Sequence, residues 1–108
     1  MAYAAVHRFA RVSARKVRPL ADLIRGKFAD DALDILRFQP HRGARMLEKV
    51  LRSALANAED RRATNLHNLM VIDVRVDGGP MFKRMQPKAR GSASIIKRRL
   101  SHISVALE

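Results

Sequence analysis

The chain has 108 residues, of which 22 are lysine or arginine and 10 are aspartate or glutamate, giving a formal net charge of +12 and a sequence pI near 11.6. That length predicts one domain, residues 1–108, with room for a core but little for a separate active-site layer. The lack of cysteine excludes a disulfide framework and a thiolate metal site. No stretch reaches membrane-spanning length and the start has no secretory apolar run, so a cytoplasmic protein with a polyanionic partner is expected.

Tyr3 to Val12 sets Val6, Phe9 and Val12 between Arg8 and Arg11, which predicts a short strand. Ser13 then reads as an N-cap, with Ala14 to Arg25 helical, Val17, Leu20, Ala21 and Ile24 as the apolar stripe, and Gly26 as the stop. Pro19 lies inside that helix, where it has no amide to donate and crowds the Arg15 carbonyl, so a kink or a late start is expected. Asp30 or Asp31 caps a second helix through Phe38 that buries Ala32, Leu33 and Leu36. Pro40 opens a third, in which Ala44, Leu47, Leu51, Ala54, Leu55 and Ala58 recur at three and four residues. Asp60 to Asn68 is polar and loop-like.

From Leu69 the period changes to two. Met70, Ile72, Val74 and Val76 share one parity before Gly78-Gly79-Pro80, and Ile103, Val105 and Leu107 share one after the turn-rich Pro87-Lys88-Ala89-Arg90-Gly91. This is a hairpin. With Val76 opposite Ile103, Val74 meets Val105, Ile72 meets Leu107, and the loop closes over Lys88 to Gly91. A bulge at Gly78-Gly79 would shift that register by one. Apolar alternation is confined to the base, so residues 80–99 are expected to project as an arm of roughly 25 Å. The expected fold is a two-layer α+β domain of β-α-α-α-β-β order, a three-stranded antiparallel sheet with three helices on one face and a long protruding hairpin.

Charge is segregated along this order. Residues 1–21 carry five cations and no acid, residues 22–77 carry ten cations and nine acids, and Lys83, Arg84, Lys88, Arg90, Lys97, Arg98 and Arg99 follow with no acid before Glu108. Unpaired cations are too costly to bury, so both ends must face water or an external polyanion. Cations also crowd the first helix N-terminus at Ser13-Ala14-Arg15-Lys16-Val17-Arg18, where backbone donors favour phosphate.

Several residue groups match a known family. Lys83-Arg84, Pro87 to Ala93, Ile96-Lys97-Arg98-Arg99 and Ser101 to Val105 resemble the signature of the bacterial large-subunit ribosomal protein twenty-two family. The resemblance continues upstream in Val12-Ser13, Arg15 to Arg18, Ala21 to Lys27 and Ala54 to Glu59. Members usually carry arginine where this chain has Met85, Lys88 and Ser92, and an aliphatic residue at Pro19. The resemblance implies the same architecture. It also implies a body on the outer subunit surface near the tunnel exit, touching several domains of the large-subunit RNA and neighbouring ribosomal proteins. The hairpin would line the nascent-peptide tunnel, with its tip, Gln86, Pro87, Lys88, Ala89, Arg90, Gly91 and Ser92, by the constriction where macrolide response is affected.

Charge and resemblance together give an expected RNA-binding set of Arg8, Arg11, Ser13, Arg15, Lys16, Arg18, Lys83, Arg84, Lys88, Arg90, Lys97, Arg98, Arg99 and His102. Five scattered aromatics offer no stacking platform, and Phe82 is expected to pack at the arm's root, so recognition should be of RNA shape and backbone. His7, His41, His67 and His102 lack metal-ligand spacing, Asp30-Asp31-Asp34 reads as cap and exposed acid, and Ser101-His102 point to opposite strand faces. Neither enzyme activity nor a cofactor is expected. The rival reading is an architectural DNA-binding protein with Pro87 as a minor-groove wedge. That reading needs a dimer, and no unpaired apolar face suggests an obligate homo-oligomer. A membrane-surface role is weaker still, since no helix joins a large apolar face to a continuous basic one.

Overall fold

The apolar period between Ala44 and Ala58 becomes the buried face of a 19-residue helix. The computed structural model describes residues 3–64, 66–87, 91 and 93–108, with side chains at all of these except 67, 82, 84, 86, 87 and 93–97. Its elements are β1 (Tyr3–Ala10), α1 (Ala14–Ile24), α2 (Ala29–Arg37), α3 (Arg42–Asp60), a 3₁₀ turn at Leu66–Asn68, β2 (Val71–Pro87) and β3 (Ala93–Leu107). The sheet is antiparallel in the order β1-β3-β2. α1 packs on β2, α3 on β1 and β3, and α2 on α1 and α3, which is the expected α+β architecture.

The core lies between helices and sheet. Val17, Leu20, Ala21 and Ile24 from α1 and Leu47, Leu51, Ala54 and Ala58 from α3 meet Val71, Val74, Val76, Ile103, Val105 and Leu107. Each fully buried Val, Leu or Ile contributes about 1.5–3 kcal/mol relative to exposure. Beyond Val76 on β2 and before Ser101 on β3, no described side chain is buried.

Val76 faces Ile103 and Val74 faces Val105, as the alternation predicts, but Leu107 meets Val71 and not Ile72. A bulge between Val71 and Asp73 turns Ile72 outward, leaving it 47% exposed. The cause lies outside the hairpin: the Val71 amide donates to the Lys27 carbonyl at 2.8 Å, and Val71 accepts from the Gly26 amide at 2.9 Å. Those bonds hold Val71 against the α1–α2 turn. A second bulge, between Gly78 and Met81, shifts the arm's register, which then runs from Met81↔Arg99 to Pro87↔Ala93. The last described pair is therefore one residue further along β3 than the unshifted register implies.

Three other boundaries differ from expectation. β1 ends at Ala10 and not Val12, because the strand bulges after His7 and Phe9 takes a φ of 58°. The Phe9 amide donates to His102 Nδ1 at 3.1 Å, and the two rings meet edge-to-face with centroids 5.0 Å apart. α1 begins at Ala14 and runs through Pro19, so the proline does not delay the helix. In α2 the N-cap is Phe28; Asp30 and Asp31 lie in the first turn, where their charges complement the helix dipole without capping it.

Both sheet edges are covered by side chains from the helices. Arg18 and Arg25 sit two turns apart on α1, and their guanidinium groups donate to the Val76 carbonyl at 3.1 Å and the Val74 carbonyl at 2.8 Å. Asn57 Nδ2 donates to the Ala4 carbonyl of β1 at 2.8 Å. Such contacts satisfy edge groups that would otherwise template pairing with another chain. The molecule measures 64 × 24 × 16 Å, elongated along the arm.

Candidate nucleic-acid interface

α1 and α3 begin side by side because Gly43 lacks a side chain. A Cβ there would lie 3.1 Å from Val17 Cγ2 and 3.4 Å from Leu20 Cδ1, so a larger residue would push the first turn of α3 off α1. The two N-termini open into one cleft of about 1020 Å³, whose third wall is β3 at the root of the arm. Five cations line it, Arg11, Lys16, Arg42, Arg98 and Arg99, together with Ser13, His41, Pro19 and the apolar floor of Val12, Leu20, Gly43 and Leu100. Among the described residues no carboxylate lines it.

Ser13 and His41 occupy the two N-cap positions with extended backbone, and neither makes a side-chain cap hydrogen bond. Neither helix carries an acid in its first turn. First-turn amides are thus left without a side-chain acceptor, and the positive dipole ends have no local counter-charge. An anion seated here would accept from backbone amides and pair with arginine forks at once, an arrangement suited to phosphate.

The structure gathers Arg11, Ser13, Lys16, Arg98 and Arg99 from the expected set into this cleft. Arg8 and His102 lie elsewhere, in a shallower cleft of about 370 Å³ with Val6, Phe9, Asp77 and Ser104. Arg15 is exposed on α1, while Arg18, also exposed, turns its Nε to the β2 edge. Lys83 is exposed on the arm. Arg84 and Lys97 occupy arm strands, and the register pairs Lys83 with Lys97. Of the expected tip, Gln86 and Pro87 end β2 and Gly91 has a φ of +74°; Lys88, Ala89, Arg90 and Ser92 lie outside the described residues. The Phe82 side chain, expected at the arm's root, also lies outside them.

His41 and Arg42 were not anticipated. Their signal is in the sequence: Pro40-His41-Arg42 opens a helix with no acid before Glu48, the same pattern as Ser13 to Arg18. Three acids of the body are engaged with nearby arginines. Asp22 pairs with Arg25 at 2.6 Å, Asp73 with Arg75 at 2.9 Å, and the buried Glu48 holds Arg45 at 3.3 Å and Arg52 at 2.7 Å. The ends of the chain keep their positive excess.

Comparison with known proteins agrees with this geometry. Residues 5–108 match the family model described as ribosomal protein L22p/L17e. The chain is 60% identical over 108 residues to a protein of Rhodopirellula baltica named large ribosomal subunit protein uL22, covering 95% of this chain and 91% of the relative. Proteins of the same name from Caldicellulosiruptor saccharolyticus and Geobacter sulfurreducens are each 50% identical, covering 94% and 92% of this chain and 83% and 89% of their own lengths. A described match over nearly the whole chain, with identities this high, leaves one conclusion: the chain belongs to the ribosomal protein L22p/L17e family, whose members are structural and not catalytic.

Proposed function

We propose that the chain is a structural constituent of the large ribosomal subunit that binds large-subunit ribosomal RNA through phosphate contacts and supports subunit assembly. The observation that carries this reading is the acid-free cleft where two uncapped helix N-termini and five cations converge. These cations come from three separate parts of the chain, and folding one cleft from them has a clear use if a single polyanion spans it. The arm, residues 80–99, extends the same charge outward, and its tip, Gln86 to Ser92, lines the nascent-peptide tunnel. Neighbouring large-subunit proteins and the passing peptide are the remaining partners, and the family works on the ribosome in the bacterial cytoplasm.

The test is binding to a transcript of bacterial large-subunit ribosomal RNA across a salt series, with duplex DNA as competitor. About six phosphate contacts give a slope of log K against log salt of about −4 to −5. A slope near zero, or equal competition by duplex DNA, would refute the reading.

A further inference from the structure

Phe38 is 82% exposed, more than any other large apolar side chain described. It does not sit on a loose loop. It is the C-cap of α2, in helical conformation, and the turn that carries it is clamped by Arg45, which donates to the carbonyls of Leu36, Arg37 and Gln39. Arg45 is itself fixed by the buried carboxylate of Glu48. A phenyl ring on a turn held by the Arg45 guanidinium loses little backbone entropy on binding, which favours an anchor.

The chemistry around the ring selects the ligand. Between Arg37 and Arg45 there are four arginines or histidines besides the ring, Arg37, His41, Arg42 and Arg45, and no carboxylate. His41 and Arg42 line the phosphate cleft, and the chain from Phe38 to His41 spans at most about 11 Å. A protein partner would meet this positive field across a small apolar contact; a nucleic-acid strand meets both features with one molecule, phosphates in the cleft and a base on the ring. We infer that Phe38 is a stacking anchor for an unpaired nucleobase of the RNA whose backbone enters the cleft. This rests on the RNA-binding reading and adds a base contact to a surface otherwise suited to backbone.

The experiment compares the full chain with Phe38→Ala, Phe38→Leu and Phe38→Tyr in binding to a transcript of bacterial large-subunit ribosomal RNA, with chemical probing of unpaired bases. Circular dichroism should be unchanged in all three, since the ring packs on little. Phe38→Ala and Phe38→Leu should weaken binding about 5- to 150-fold, with the salt slope unaltered, and should expose a base that the parent protects. Phe38→Tyr should bind as the parent does. Parent-like binding by Phe38→Ala or Phe38→Leu, or no change in base protection, would overturn the inference while leaving the cleft intact. RNA binding unchanged in Phe38→Ala but loss of a neighbouring protein from reconstituted subunits would overturn it in favour of a protein seat. Failure of the parent chain itself to bind would instead reject the RNA reading, and the inference with it.

Discussion

Gly43 and Val17 are in contact so close that a single added carbon on Gly43 would sit 3.1 Å from Val17 Cγ2. The contact fixes the spacing of the two helix N-termini that form the cleft. Gly43→Val is expected to destabilise the fold by about 1–3 kcal/mol through overpacking, and to weaken RNA binding beyond that loss by spreading Arg42 from Lys16. Gly43→Ala should stay within about 1 kcal/mol of the parent, because the gain in helix propensity offsets a shift of a few tenths of an ångström. Urea denaturation and RNA titration read the two effects separately.

Arg18 and Arg98 should part company on mutation. Arg18 donates to the Val76 carbonyl and Arg98 faces the cleft. Arg18→Ala is expected to cost about 1 kcal/mol of stability and, combined with Arg25→Ala, to raise concentration-dependent association seen by light scattering, since the β2 edge is then open. Arg98→Ala should leave the melting temperature alone and reduce the magnitude of the RNA salt slope by about 1.

Removing Lys83 to Lys97 and closing the strands with a short turn should leave a cooperative thermal transition. The described core closes at Val76 on one strand and Ser101 on the other. Loss of cooperativity by circular dichroism would show that the arm contributes to the core. RNA affinity of the shortened chain should fall, because three of the seven distal cations, Lys83, Arg84 and Lys97, are removed with the arm strands and two more, Lys88 and Arg90, with the segment between them.

Gly91 has a φ of +74°, and no atom of the described residues lies within 4 Å of a Cβ built there. Gly91→Val therefore meets backbone strain and no clash with a described residue, so the loop should change conformation at little cost to the body's melting temperature. Ribosomes carrying the variant should assemble and respond differently to a macrolide or a stalling peptide. Parent-like behaviour in both assays would remove the tip from the tunnel.

Ser101 is fully buried, and its hydroxyl has no partner among the described residues. It shares the inward parity of Ile103, Val105 and Leu107, so a polar group occupies a core position at the end of the sheet. Ser101→Ala should raise stability by about 1 kcal/mol in a thermal melt, as an unpaired buried hydroxyl carries a desolvation cost.

The sequence made some of this visible and hid the rest for definable reasons. α3 was readable because a 3.6-residue period depends on the helix alone, and Val74 and Val76 were readable because their partners repeat the same alternation. Ile72 was misassigned to the core because it continues that parity, and the bulge that breaks it is held by Lys27, far away in the chain. Asp30 and Asp31 have capping chemistry but sit two and three residues past the N-cap position, which Phe28 occupies. In the cleft, Ser13 and Lys16 were legible as a basic helix start. Arg42 was not, because its helix announces itself by its apolar face, and nothing local reveals that Gly43 sets that start against α1.

The order β1-β3-β2 also bears on how the chain reaches this state. β1 and β2 are both partners of β3, and Tyr3 pairs with Leu107 across about a hundred residues, a closure costing about 4 kcal/mol beyond a constant. During synthesis β1 and all three helices emerge before the strand that joins the sheet together. Until then the apolar faces of α1 and α3 have each other, α2 and the still unjoined β1 and β2 to cover them. Helical structure is therefore expected early and the sheet late, with β3 inserting between two waiting edges in the slow, long-range step that sets the folding rate.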